Sequence, residues 1–352
     1  MFQFSDLAIP VVQAPMAGGV NTPQLAAAVA NAGGLGSFGF AYSSPEKIDA
    51  DLKATTALIH PSYAKRINAN FFVFQEPQMP SLDVQHQALN DLKNATSKHA
   101  ISINLPKPPY IPNLEAMLEP IWINRPDVLT FHFGLPKQEF IDRAKSLGIA
   151  VGVTATCLSE ALKIQAAGAD FIVAQGIEAG GHRGIFDPEQ TDQQLSVADL
   201  LKALRAHVSI PIVAAGGIMS GHDIHHVLEL GAVAAQMGTA FLVVTESGAS
   251  SAHRRYIQNH HERGAQFTKA FSGRPAQGIL NQYMMDMKDK NYLPFPVQNL
   301  LTAPMRKWAG EQDNGEYQSL WAGTAYAKAR AMSTQALMQT LQAELMSLQK
   351  AS

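Results

Sequence analysis

Chemistry concentrates in one stretch of this chain, Ala174-Gln175-Gly176-Ile177-Glu178-Ala179-Gly180-Gly181-His182-Arg183-Gly184, where four glycines surround one imidazole, one carboxylate and one guanidinium. Glycine permits positive φ and close approach of the backbone to a flat or anionic ligand. Imidazole titrates near neutral pH and can act as base, acid or donor to an anionic oxygen. His182 is therefore the expected central active-site residue, with Gln175 beside it as a ring-binding amide. A histidine in an ordinary surface loop is the alternative, and the position of the loop in the fold must decide between them.

Other polar and glycine-rich stretches also follow apolar runs. Gln13-Ala-Pro-Met16-Ala-Gly-Gly19 offers small residues against which a flat ring can lie, or an ordinary tight turn. Asn70, in Asn68-Ala-Asn70-Phe-Phe72, carries an amide that can both donate and accept, and His132 closes another apolar run. Ala214-Ala-Gly216-Gly217 and Gln236-Met237-Gly238-Thr239 have the character of loops whose backbone N–H groups receive a phosphate.

The elements that must position these residues are legible as alternating apolar runs and helical segments. Eight candidate strands are Ile9 to Gln13, Leu35 to Phe38, Ile67 to Phe72, Val128 to His132, Ala150 to Thr154, Phe171 to Gln175, Ile210 to Ala214 and Val233 to Met237. Helical patterns fall between most of them, which predicts a parallel sheet of the α/β class. Eight units with near-continuous apolar strands favour a (β/α)8 TIM barrel, with a doubly wound open sheet as the alternative. The site residues then collect at the C-terminal ends of the strands. Gly34-Leu-Gly36-Ser-Phe-Gly39 matches a dinucleotide string but follows a helix, so it reads as barrel packing.

Two segments exceed ordinary loop length. The expected division is a barrel core at 1–75 and 127–245, a mainly helical cap at 76–126 and 246–331, and a docking helix in 332–352 with Leu337, Leu341, Leu345 and Leu348 on one stripe.

A formal charge of −2 gives no broad attraction for nucleic acid, and no apolar run reaches the roughly 20 residues of a membrane span. The single cysteine, Cys157, and the lack of any Lys or Arg before Lys47 lead to the expectation of a reducing, cytoplasmic setting; with the small net charge the partners expected are small molecules, and either a monomer or a homodimer is compatible with the sequence. His222, His225 and His226 sit at a helix start without a zinc-protease pattern, so no metal is expected. A phosphate site after strands seven and eight, with a ring against strands one, three and six, suits FMN.

Taken in order, Ala14-Pro-Met-Ala-Gly-Gly19, Asn70-Phe-Phe72, Gln175 with Glu178-Ala-Gly-Gly-His-Arg-Gly184, Ala215-Gly-Gly217 and Gln236-Met-Gly-Thr-Ala-Phe241 resemble the nitronate monooxygenase family, formerly called 2-nitropropane dioxygenases. The resemblance implies a TIM barrel with an added cap, non-covalent FMN held by Met16, Asn70, Gln175, Gly180, Gly217 and Gln236 to Thr239, and a catalytic His182. Tyr292-Leu-Pro-Phe-Pro296 and Ala303-Pro-Met-Arg-Lys307 resemble the bacterial class acting with O2 on alkyl nitronates such as propionate 3-nitronate. On this resemblance His182, with Lys307, Tyr110 or Tyr292, holds the nitronate; His132, from its place at a strand's C-terminal end alone, either lines the pocket or is a buried structural histidine. An FMN enzyme reduced by NAD(P)H, of the quinone reductase or enoyl-carrier-protein reductase type, and a phosphate-binding barrel without redox function stay open as alternatives.

Overall fold

The computed structural model describes residues 1–63 and 66–349. Residues 64, 65 and 350–352, which fall within the expected barrel and C-terminal segments, lie outside the described residues.

Eight parallel strands form one sheet: β1 (Val11–Gln13), β2 (Gly36–Gly39), β3 (Ile67–Phe72), β4 (Val128–His132), β5 (Ala150–Ala155), β6 (Phe171–Gln175), β8 (Ile212–Ala215) and β9 (Ala234–Met237). Neighbours run in the order β1-β9-β8-β6-β5-β4-β3-β2, and the pairing of Val12 with Leu35 joins the two ends. The closed barrel, not the open sheet, is what the sequence forms. Every residue of β1, β3, β5, β6 and β8 is buried, as expected of strands covered outside by helices and filled inside by neighbouring side chains.

Helices α1 (Pro23–Asn31), α2 (Pro45–Leu58), α5 (Gln138–Ser146), α6 (Leu158–Ala166), α7 (Val197–Arg205) and α8 (Gly221–Glu229) alternate with the strands. Several begin where the local chemistry requires. Thr22, Ser44, Ser196 and Ser220 each cap a helix by accepting a backbone N–H, with Pro23 and Pro45 at the first helical position. After β9 there is only a 3-10 turn at Thr239–Phe241. The place of the eighth outer helix is taken by α12 (Thr334–Gln349), which packs between α8 and α1 and buries Leu337, Met338, Leu341 and Leu345. Glu344 on α12 accepts the Gly221 N–H at 2.7 Å, tying the two helices together.

A second apolar cluster sits apart from the barrel core. It joins Ala88 and Leu92 of α3 (Leu82–Ala95) to Phe271, Tyr283 of α10 (Gln282–Asp286) and Leu301, Met305 and Ala309 of α11 (Val297–Glu311). Helix α4 (Leu114–Asn124) departs from the expected cap segment 76–126. Its Met117, Leu118, Ile121 and Trp122 belong to the barrel core, and it packs on α2. The apolar face of α4 is the reason, since a helix buries its stripe on whichever core it can reach.

The layer above the barrel also contains strands, so it is not only helical. β10 (Ala265–Thr268), β11 (Ala276–Ile279) and the two-residue β7 (Gly181–His182) make an antiparallel sheet with His182 opposite Ala276. Alternating hydropathy over two residues is too short a signal to read from sequence. Helix α9 (Ser251–Asn259) completes this layer. Among the described residues, no helix is long and apolar enough to cross a membrane.

The glycines of the rejected dinucleotide string are packing residues. A Cβ on Gly36 would lie 2.2 Å from the Ala26 carbonyl oxygen, and one on Gly39 2.6 Å from the Ala17 nitrogen. Cys157 is buried at the start of α6, its Sγ 3.2 Å from the Ser159 hydroxyl.

Candidate active site

A cavity of about 650 Å³ opens at the C-terminal ends of the barrel strands, between them and the upper layer. Met16, Asn70, Gln175, Gly180 and Gly217 line it, as do Gln236, Met237, Gly238 and Thr239. His132 and His182 line it as well, so every residue expected at a cofactor, together with both histidines, meets at one place.

One end of the cavity is built for an anion. Gly216 and Gly217 follow β8 with φ of +127° and +71°, a backbone that side chains rarely adopt. Among the described residues, the N–H groups of Gly217 and Gly238 donate to no protein acceptor. Unpaired N–H groups on neighbouring strand ends favour a phosphate. The Thr239 hydroxyl accepts the Gly323 N–H at 3.0 Å, which draws the 322–325 segment over the same end. Gly180 makes that approach possible, because a Cβ there would lie 2.4 Å from the Ala322 carbonyl carbon.

Toward the barrel axis, a chain of hydrogen bonds crosses strands. Gln13 Oε1 accepts the Ser37 N–H at 2.9 Å, and Asn68 Nδ2 donates to Ser37 Oγ at 3.2 Å. The Thr130 hydroxyl donates to Asn68 at 2.9 Å and accepts from Asn70 Nδ2 at 3.0 Å. Asn70 is thus held by its amide nitrogen, which leaves its carbonyl oxygen for a ligand. The unpaired N–H groups, the glycine cradle and this fixed amide form a donor and acceptor set that fits a ligand with an anionic end and a polar-edged ring, as a flavin has.

His182 is fixed by both backbone and ring. Its carbonyl accepts from Gln175 Nε2 at 2.9 Å and from His132 Nε2 at 3.2 Å, and Gln175 Oε1 in turn accepts the Gly184 N–H at 2.8 Å. Gln175 therefore holds the loop with both atoms of its amide. The His182 ring nitrogen Nε2 lies 2.9 Å from Ser272 Oγ. The rings of Phe72, Phe133, Phe295 and Trp321 surround the imidazole, with centroids 5.6–5.8 Å away. Burial in this apolar cage pushes the His182 pKa down to about 3, helped by the charges of His132, Arg274 and Arg306. Burial likewise takes His132 down to about 4. Both rings are neutral at physiological pH.

Arg183 does not face this cavity. Its guanidinium is buried and bonds Asp192 at 2.8 Å and 3.1 Å and the Gln175 carbonyl, bracing the loop from behind. Phe133 adopts φ of +76° after β4 with its ring beneath the Arg274 guanidinium at 4.0 Å, a strained backbone where the chain turns at the site.

Three of the expected substrate residues are placed elsewhere, and each is a correction. The Lys307 side chain is 79% exposed and pairs loosely with Glu311 at 3.9 Å. Tyr110 packs on the second apolar cluster, and the Tyr292 hydroxyl donates to the Met287 carbonyl. Neither tyrosine lines the cavity. The cation that does is Arg306. Its Nη2 donates to the Asn299 carbonyl at 2.6 Å and to Asn299 Oδ1 at 2.8 Å, while its Nε is buried without a partner. Tyr42, His253 and Trp321 also line the cavity. The stripe Leu301, Met305, Ala309 on α11 would have placed residue 306 beside the buried face and 307 away from it.

Fold and site together define a (β/α)8-barrel protein with a ligand cavity at the C-terminal mouth. The chain belongs to the nitronate monooxygenase family, whose model matches residues 3–344. It is 38% identical over 347 residues to the nitronate monooxygenase of Pseudomonas aeruginosa, covering 96% of each chain. It is 33% identical over 326 residues to a probable nitronate monooxygenase of Bacillus subtilis, covering 92% of this chain and 91% of the relative. Its structure is similar to that of nitroalkane oxidase from Streptomyces ansochromogenes, with a TM-score of 0.92, 36% identity and 99% of both chains covered. FabK from Thermotoga maritima shares the fold at a TM-score of 0.74 and 22% identity, covering 98% of this chain and 95% of that one.

Proposed function

We propose that this chain is an FMN-dependent enzyme that oxidatively denitrifies alkyl nitronates, such as propionate 3-nitronate, with O2 and releases a carbonyl compound and nitrite. The observation that carries the reading is the convergence on one cavity of a neutral buried imidazole, His182, and a guanidinium with a free Nε, Arg306. A nitronate is an anion that already carries the negative charge a base would otherwise have to create. Among the described residues that line it, the site accordingly offers hydrogen-bond donors, one guanidinium and no carboxylate base.

FMN, when bound, supplies oxidation of the nitronate and passes the electrons to O2. The protein's own part is to bind, orient and desolvate. Gly217 and Gly238 N–H groups, with Gly180 and Thr239 closing over them, hold the phosphate; Met16, Asn70, Gln175, Gln236 and Met237 border the ring. His182 donates to a nitronate oxygen and Arg306 compensates its charge. Phe72 and Trp321 keep water from that oxygen, which strengthens both interactions. His132 holds the His182 carbonyl and does not itself need to meet the substrate.

In this reading segments 1–75 and 127–245 carry the cofactor, 246–331 shapes the substrate side, and 332–352 braces the barrel. The lone cysteine supports a reducing, cytoplasmic setting and the formal charge of −2 a small-molecule substrate, and in this reading the enzyme works as monomer or homodimer.

The test is a purified, visibly yellow protein given a nitronate in air, with O2 uptake and nitrite followed together. Nitrite formation matched to O2 uptake supports the reading. A colourless preparation, or anaerobic bleaching by NADH that outpaces bleaching by nitronate, overturns it.

A further inference from the structure

Ser272 is buried, precedes β11 and belongs to neither glycine loop of the barrel. Its hydroxyl stands at a junction. It lies 2.9 Å from His182 Nε2, accepts the Arg274 N–H at 3.3 Å, and has the Arg274 carbonyl at 3.2 Å. A hydroxyl has one proton to give. If that proton goes to the Arg274 carbonyl, His182 Nε2 must carry a hydrogen and Nδ1 becomes an acceptor. If it goes to Nε2, His182 is protonated at Nδ1 and offers the cavity a neutral donor. Nδ1 has no protein partner among the described residues, so it is the ring nitrogen left for a ligand.

Two features select between the states. The imidazole is the nearer partner of the hydroxyl, at 2.9 Å against 3.2 Å for the Arg274 carbonyl. The cavity, with the Arg306 guanidinium on its wall, is suited to an anion, which requires a donor and not a lone pair facing it. We propose that Ser272 is a positioning residue that gives its proton to His182 Nε2, locking the buried imidazole as the Nδ1–H tautomer so that a neutral ring donates to the bound anion. The short β7–β11 pairing, with His182 opposite Ala276, holds the two side chains in register. Charge never has to be carried by the ring, so the cage of Phe72, Phe133, Phe295 and Trp321 costs the donor nothing in desolvation of an imidazolium.

The inference rests on the reading of His182 as the residue that holds the nitronate, and its test separates the two. The full-length holoprotein labelled with 15N-histidine is observed by NMR through the two-bond couplings that distinguish Nδ1–H from Nε2–H imidazole, with His182 assigned by loss of its signal in His182→Asn. The expected result is the Nδ1–H pattern in the wild type, and a mixed or Nε2–H pattern in Ser272→Ala. Nitronate kcat/KM in Ser272→Ala is expected to fall about tenfold, mainly through KM, with recovery in Ser272→Thr. An Nε2–H pattern for His182 in the wild type overturns the proposal even if nitronate turnover is normal and even if Ser272→Ala misfolds. A wild-type Nδ1–H pattern unchanged in a folded Ser272→Ala also overturns it, because a merely structural serine would leave the tautomer alone.

Discussion

Arg306 and Lys307 are consecutive on α11 and face different media: Arg306 lines the cavity with a buried, unpartnered Nε, and Lys307 projects into solvent with 79% of its side chain exposed. A step of one residue on a helix turns the side chain by about 100°. That rotation separates a cation able to compensate a substrate charge from one that is screened by water.

The two should therefore behave differently when removed. Arg306→Ala is expected to lower nitronate kcat/KM by about tenfold to a hundredfold, the range of a charge-assisted hydrogen bond. Arg306→Lys should recover only part of it, since a lysine cannot keep the Asn299 contacts and an Nε donor together. Lys307→Ala should match the wild type. Steady-state kinetics on the three variants, with flavin content measured alongside, checks this, and equal losses at 306 and 307 would contradict the assignment.

The barrel was legible because its strands are apolar on both sides and its helices carry serine, threonine and proline at their starts, signals that survive without tertiary context. Glycines at 216, 217 and 238 and the residues at strand ends were legible for the same reason, since the fold fixes where strand ends go. What was hidden depended on the upper layer. Arg306 sits two residues past Pro304, which disguises the interior of a 15-residue helix as the end of one. Ser272 approaches His182 from 90 residues away, and only the three-stranded sheet brings them together. The packing of α4 on α2 was invisible because apolar periodicity shows that a face is buried and not which core receives it.

Stability should depend on pH through three buried imidazoles. Burial depresses His182 to about 3, and His132 and His253 to about 4, against an ordinary imidazole value of 6.5. Below 6.5 the unfolded chain takes up protons that the folded chain refuses, so the stability is fully present above that value and is lost as pH falls toward the folded values. Urea midpoints are expected to drop between about pH 7 and about pH 5, where most carboxylates remain ionised, and to drop less steeply in His182→Asn. Nitronate kcat/KM should show no ionisation near 6.5 that disappears in that variant. A flat stability profile across this window would mean that the imidazoles are hydrated.

Two glycine substitutions separate a functional close approach from an incidental one. At Gly180 a Cβ would lie 2.4 Å from both the Ala322 carbonyl carbon and the Gly323 nitrogen, backbone atoms that cannot swing aside. Gly180→Ala must push the 322–325 segment off Thr239 or shift its own loop, and with it His182 two residues on. Gly310, on α11, has nothing within 4 Å of an added Cβ and no positive φ. Gly310→Ala is expected to raise stability by about 0.5–1 kcal/mol, the usual gain of alanine over glycine in a helix, with full flavin content and unchanged turnover. Gly180→Ala is expected to lose most of its bound flavin on gel filtration and to melt at a lower temperature. Full flavin retention in Gly180→Ala would show that the approach of residues 322 and 323 is not what closes the phosphate end.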